Sequence, residues 1–217
     1  GYIEGENVTY LYEGPHSERS ELDEAMSRLV AKKPDLIFTA TTPATLAAKK
    51  ATQRNKIPVV FGPVNDPLKA KIVTDLKHPD DNITGVMLTD STAKQLEWML
   101  KIKPGVKMVL VPYNPDDKSS QISKQKTLEA SRLFGFEIKE HKVRSYEEIN
   151  ELIKNCPCEV DAIFLPRDGM IMSRIEDFSK LARKNNILIT GTRFEMTKRG
   201  ATFGFGFYGL ELGKQMS

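Results

Sequence analysis

Apolar positions along this chain fall into short runs separated by amphipathic stretches. Asp35-Leu36-Ile37-Phe38-Thr39 and Pro58-Val59-Val60-Phe61 are bounded by breakers and read as parallel strands buried between helices on both faces. The first run stops at Ala40-Thr41-Thr42-Pro43. A helix is predicted from there to Thr52, with Thr42 as its N-cap and Pro43 in the first helical position. The second run stops at Gly62-Pro63-Val64-Asn65-Asp66-Pro67. Around these lie a predicted strand over residues 7–12, a helix over 17–32 with Leu22, Met26, Leu29 and Val30 inward, and a strand over 82–86.

Beyond Leu88 the alternation repeats. Helices are predicted over 92–102 (Leu96, Met99 and Leu100 inward, Trp98 on a flank), 121–134 (closed by Gly135), 146–154 and 171–185. Strands are predicted over 106–112, 136–143, 160–166, 187–190 and 201–205, before a last helix from Tyr208. Two successive β-α alternations predict an α/β fold of two Rossmann-like, doubly wound parallel-sheet lobes. One lobe is residues 1–88, joined by a C-terminal helix over 208–217; the other is 89–207. Ligands of such sheets bind beyond the carboxyl ends of the strands, so the expected site is a cleft between the lobes. One side offers Thr41, Thr42, Pro43, Ala44, Asn65 and Asp66. The other offers Asn114, Asp116, Ser119, Ser120, Arg167, Asp168, Gly169 and Glu195. Closure would hinge near Thr89 and Phe207.

With 217 residues, 40% hydrophobic and 28% charged, the chain is not disordered and suits one large domain or two small ones. Its net charge of +3 comes from scattered lysines. That is a solvated surface rather than the footprint of nucleic-acid binding. No apolar stretch reaches the roughly 18 residues that span a membrane. There is no signal peptide, but Gly1 opens mid-motif and Ser217 closes mid-helix, so the chain reads as a segment of a longer one. Cys156-Pro157-Cys158 is too tight for an ordinary disulfide, and two thiols fall short of a zinc set. With His16, His78 and His141 scattered, no metal site is expected. Asn7-Val8-Thr9 and Asn82-Ile83-Thr84 match the glycosylation triplet, which is common by chance.

An enzyme reading finds little. Gly204-x-Gly206-x-x-Gly209 matches a dinucleotide fingerprint, but the chain ends before the acidic residue due about twenty positions on. The glycines read as a flexible crossover. Asp116 and Asp117 are adjacent and read as solvated loop carboxylates rather than an acid-base pair.

Six motifs taken together carry a resemblance. Thr41-Thr42-Pro43-Ala44, Ile57-Pro58-Val59-Val60-Phe61 with Asp66-Pro67, Asn82-Ile83-Thr84-Gly85-Val86, Tyr113-Asn114-Pro115, Val160-Asp161-Ala162-Ile163 and Lys198-Arg199-Gly200-Ala201 stand in this order. In order and spacing, over nearly the whole chain, they resemble the ABC-transporter substrate-binding family that includes tryptophan- and tyrosine-binding proteins. The resemblance implies a type I periplasmic-binding fold, no catalysis and no cofactor. It implies a small-molecule solute, an amino acid or related polar or anionic molecule, and an ABC permease as partner. It also implies no nucleic acid, contact with a membrane only through an anchor or partner outside this segment, and a periplasmic or cell-surface lipoprotein location. Members normally carry a strand and helix ahead of Gly1-Tyr2-Ile3-Glu4-Gly5, absent from this segment.

Within that frame Asp168 is the candidate partner of a ligand ammonium. Thr42 with the helix it opens, Ser119 and Ser120 are candidates for a carboxylate, and Asn65, Asn114 and Asp116 for orienting hydrogen bonds. The chain departs from the family where relatives tend to carry Thr-Asp-Asn and it has Arg167-Asp168-Gly169. It departs again at Arg193-Phe194-Glu195, in place of an acidic cluster, and at Tyr208, in place of Asp. Either Arg167 and Arg193 favour a more negative or polar solute than a plain aromatic amino acid, or they face solvent or pair with Glu195. The remaining alternatives are the extracytoplasmic sensing domain of a receptor and the effector domain of a transcription regulator.

Overall fold

A computed structural model describes residues 1–14, 19–79, 82–88, 91–156, 159–206 and 214, and the chain divides into two units, Gly1–Met87 and Leu88–Ser217. The expected hinge residues Thr89 and Phe207, the terminal helix apart from Lys214, His16, Cys158 and Gly209 lie outside the described residues.

Unit 1 contains α1 (Arg19–Ala31), β1 (Ile37–Thr39), α2 (Thr42–Ala51), β2 (Val59–Val64) and β3 (Ile83–Met87). Its strands pair in parallel in the order β1-β2-β3, with Ile37, Val59 and Ile83 in register. Packing of α2 on β1 and β2, and of α1 on α2, buries the sheet face carrying Ile37, Val59, Phe61 and Ile83. The opposite face carries Leu36 and Phe38, each 54% exposed. The expectation that helices cover both faces therefore fails here, because among the described residues they form a layer on one face. Between β2 and β3 the chains approach so closely that a Cβ on Gly85 would stand 2.0 Å from the Phe61 carbonyl oxygen.

Residues 7–12 do not form the predicted strand. Glu4 and Val8 make an isolated bridge, and Tyr10 and Tyr12 are exposed. A strand exists through its ladder partner, and none of the described strands pairs with this segment. The two triplet asparagines make hydrogen bonds within unit 1. Asn7 Oδ1 accepts from Ile3 N at 2.7 Å, while Asn82 Nδ2 donates to Thr52 Oγ1 at 3.0 Å.

Unit 2 contains α3 (Thr92–Ile102), β4 (Met108–Tyr113), α4 (Lys118–Phe134), β5 (Glu137–Lys142), α5 (Tyr146–Lys154), β6 (Ala162–Leu165), α6 (Gly169–Ser173), α7 (Ile175–Lys184), β7 (Leu188–Gly191) and β8 (Phe203–Gly204), with a 3-10 segment at Phe194–Arg199. All strands are parallel, in the order β5-β4-β6-β7-β8. Both faces are covered, as near-continuous apolar strands require. Leu110, Ile163, Leu165 and Ile189 pack with Ile149 of α5 and Phe178 of α7. Val109, Val111, Ala162 and Phe164 pack with Leu96 and Met99 of α3 and Ala130 of α4. Trp98 lies on the flank of α3, 42% exposed, with Lys101 Nζ 5.0 Å from its ring centroid. Asp161 sets the start of β6 against β4, its Oδ2 accepting from Lys107 N and Met108 N at 2.8 and 3.0 Å.

Two predicted elements differ. The helix expected over 171–185 is broken at Arg174 into α6 and α7, and it begins earlier, because the Asp168 side chain caps α6 by accepting from Ile171 N at 3.0 Å. The strand expected over 201–205 shortens to Phe203–Gly204. Its glycines are not a flexible crossover: a Cβ on Gly204 or Gly206 would stand 2.6 Å from Arg193 O or 2.5 Å from Thr192 O. They are where two backbones touch.

Candidate functional site

The candidate residues of unit 1 sit beyond the carboxyl ends of β1 and β2. Thr41 joins β1 to α2 with φ 79° and ψ 154°, a region that essentially only glycine adopts. Its carbonyl is held from two sides, accepting from Thr45 N at 3.2 Å and from Thr45 Oγ1 at 2.8 Å. Thr45 is fully buried and its Oγ1 also lies 3.0 Å from that of Thr39. The N-cap position therefore belongs to Thr41, not Thr42, and no side chain caps the helix. Thr42 is already helical, Pro43 and Ala44 follow in the first turn, and Thr42 Oγ1 accepts from Asn65 N at 3.2 Å. That bond ties the two strand-end loops together. Asn65 is buried, and Asp66, at φ 55°, accepts from Lys69 N through Oδ1 at 3.0 Å.

In unit 2 the strand order places β4, the first strand, between β5 and β6, the second and third. Such an order reverses between the first and third strands, and the crevice at that switch point is where open α/β sheets take ligands. The loops flanking it are those after β4 and β6. After β4, α4 begins at Lys118, three residues before the predicted start, so Ser119 and Ser120 lie in its first turn and are buried. Asp117 is the cause: its side chain accepts from Ser120 N at 2.7 Å as the N-cap, and it is 7% exposed rather than solvated. Ser120 Oγ accepts from Asn114 N at 2.9 Å, and Asn114 Oδ1 from Asp116 N at 2.9 Å. Asp116 is exposed and pairs with Arg144, Nε to Oδ2 3.1 Å. Most polar groups of this loop thus hold the loop itself, and Asp116 is taken by an ion pair instead of being free to orient a ligand.

After β6, Arg167 N donates to Ser123 Oγ of α4 at 3.2 Å, joining the two sides of the switch point. Asp168 follows, 4% exposed. Its Oδ1 caps α6, whereas its Oδ2 is buried and accepts no hydrogen bond. A carboxylate oxygen in that state carries the full cost of desolvation unless a donor reaches it. Gly169 then opens onto a pocket of about 350 Å³ lined also by Met172, Ser173, Arg193, Glu195, Met196 and Arg199. Arg193 and Glu195 are exposed on its wall and form no ion pair with one another. A second depression, near His141, Arg144 and Glu151, contains none of the candidates.

Sequence reasoning passed over two groups at the end of β7. Gln95 of α3 is fully buried, its Nε2 donating to Thr190 Oγ1 at 3.0 Å and to the Gly191 carbonyl, with Oε1 unpartnered. Thr192 is buried with Oγ1 likewise unpartnered. A glutamine inside an amphipathic helix carries no signal that its amide faces a strand end. Among the described residues no group of three or more His, Cys, Asp or Glu side chains comes together to hold a metal, and no helix is long and apolar enough to cross a membrane.

Known proteins match this chain along its length. The model of the family described as ABC transporter substrate binding protein matches residues 1–217. A tyrosine-binding protein from Clostridioides difficile is 28% identical over 201 residues, which are 93% of this chain and 58% of that protein. The chain therefore spans somewhat more than half of that relative's length. The crystal structure of a conserved domain protein from Vibrio cholerae superimposes with TM-score 0.92 at 25% identity, covering 99% of this chain and 72% of that one. An ABC domain from Streptococcus pneumonia in complex with L-Trp gives TM-score 0.85 at 25% identity, covering 92% and 67%. The fold is that of the type I periplasmic-binding proteins, a class that binds solutes and is not enzymatic. The chain belongs to the ABC transporter substrate binding protein family.

Proposed function

We propose that this protein is the solute-binding component of an ABC import system and that its solute is an amino acid or a related polar, anionic molecule. The observation that carries the reading is the buried, unpartnered Oδ2 of Asp168 at the switch point of unit 2. Burial without a partner is tolerated where a ligand supplies the donor, and a ligand ammonium would give this carboxylate a charge-assisted hydrogen bond, roughly twice as strong as a neutral one. Within unit 1, the first-turn N–H groups of α2 favour an anionic group and no side chain caps them. Names of relatives that bind tyrosine or contain L-Trp point the same way. In this proposal each unit contributes its own strand-end loops: in unit 1, Thr41, Thr42, Pro43, Ala44, Asn65 and Asp66 shape the loops after β1 and β2, and in unit 2, Asn114, Ser119, Ser120, Arg167 and Gly169 hold the loops around Asp168. Hinge closure, delivery to a permease and an extracytoplasmic location belong to the same proposal.

The test is calorimetric titration of L-amino acids into the protein and into Asp168→Asn, which keeps an oxygen to cap α6 and removes the charge. At least one amino acid is expected to bind saturably, and the variant to bind it about 100-fold more weakly, or roughly 2.7 kcal/mol. No binding by any amino acid, or equal binding by the variant, would overturn the reading.

A further inference from the structure

Five buried side-chain atoms have no hydrogen-bond partner among the described residues, and three of them belong to one region of unit 2: Gln95 Oε1, Asp168 Oδ2 and Thr192 Oγ1. The hydrogens around Gln95 follow from their acceptors. The Phe203 carbonyl takes the Thr190 hydroxyl hydrogen at 3.1 Å, so Thr190 Oγ1 is left to accept from Gln95 Nε2 at 3.0 Å. The Gly191 carbonyl accepts the other amide hydrogen. A carbonyl only accepts, so turning the amide over would set Oε1 against Gly191 O with no hydrogen between them. Oε1 is thereby fixed as an acceptor without a donor, on a fully buried side chain.

Thr192 follows Gly191 directly and is 2% exposed. Leu165 of β6 pairs with Gly191 of β7, and neighbouring strands lie about 4.8 Å apart. From that pair Asp168 is three residues on and Thr192 one. Gly169 and Arg193, the residues after them, line the same pocket, so both strand ends border one space within unit 2. An ionised carboxylate and an amide oxygen accept and never donate, and a threonine oxygen accepts through its lone pairs. A primary ammonium, with three N–H bonds and no lone pair, satisfies all three. A hydroxyl has one hydrogen to give and a carboxylate none.

We propose that Gln95 and Thr192 are specificity-determining residues that, with Asp168, receive a primary ammonium, so that this protein selects primary amines against their N-methylated counterparts. The proposal rests on the reading that Asp168 takes a ligand ammonium, and adds two contacts to it.

The test is calorimetric titration of the common L-amino acids and, for each that binds, of its N-methyl and N,N-dimethyl derivatives, which keep the positive charge and lose N–H groups. The primary amine is expected to bind tenfold or more tightly than either derivative. Thr192→Val removes an oxygen that no protein group bonds, so without ligand it should melt at or above the parent's temperature. It should nevertheless bind the primary amine tenfold or more weakly and the N,N-dimethyl derivative as the parent does. Thr192→Ser should keep the preference, and Gln95→Met should lose it. Equal binding of primary and N-methylated amines overturns the proposal while the amino-acid reading stands. A preference that survives whole in Thr192→Val or in Gln95→Met overturns the role of that residue. Silence with every amino acid overturns both readings.

Discussion

Thr41 shows how much chemistry a single residue holds. A β-branched residue at φ 79° and ψ 154° is strained by about 1–3 kcal/mol. It stays there because Thr45, fully buried, grips its carbonyl with two hydrogen bonds. Strain of this kind clusters where ligands are held, and Thr41 stands at the uncapped start of α2. Glycine adopts the conformation freely, at a cost of roughly 0.5–1 kcal/mol in unfolded-chain entropy. Thr41→Gly is therefore expected to stabilise the protein by about 1 kcal/mol, read as a higher melting temperature, while weakening solute binding in the same preparation. A lower melting temperature would show that the threonine is not strained. The sequence signalled this residue as part of a strand-end loop. It misplaced the cap by one position, because whether Thr41 or Thr42 closes the helix depends on the bonds that Asn65 and Thr45 make to them across the fold.

At the scale of elements, caps and strand starts decide boundaries. Asp117 and Asp168 both accept from backbone N–H groups three residues on, which is why α4 and α6 begin earlier than the apolar pattern indicates. A buried aspartate used as a cap and one exposed in a loop share the same local sequence. Asp161 performs a related task between strands. The N–H groups of Met108 and Lys107, with the nearby Lys103 and Lys107 charges, hold its carboxyl below the usual carboxylate range. A carboxyl whose folded value is depressed binds its proton more readily in the unfolded chain, so its stabilisation is present above about pH 4 and fades as pH falls through the folded value. Asp161→Asn is expected to lower stability by about 1 kcal/mol at pH 7, half-burial limiting the size. Urea midpoints of parent and variant should draw together as pH falls below about 4. A gap that stays the same size as pH falls below about 4 would assign the loss to packing instead of charge.

Across the whole molecule the two units are built unequally. The β4 and β6 strands are apolar, paired on both edges and covered on both faces, whereas β1 is an edge strand with Leu36 and Phe38 exposed on its open face. Local opening free energies follow such differences. Hydrogen exchange should therefore find the amides of β1 exchanging well before those of β4 and β6. Equal protection would mean that the open face is covered in solution.

The sequence by itself determined the alternation of strands and helices, the parallel α/β class, the family through six ordered motifs, and the loops that hold the candidate residues. These properties are local: apolar runs, breakers and spacing are written in neighbouring residues. Only the tertiary structure decided that residues 7–12 pair with none of the described strands and that Gly204 and Gly206 are points of backbone contact. It likewise decided that Asp116 is taken by Arg144, and that Asp168 keeps one buried oxygen without a donor. Each depends on groups distant in sequence, and a hydrogen bond or a close approach between such groups leaves no periodic trace in the chain.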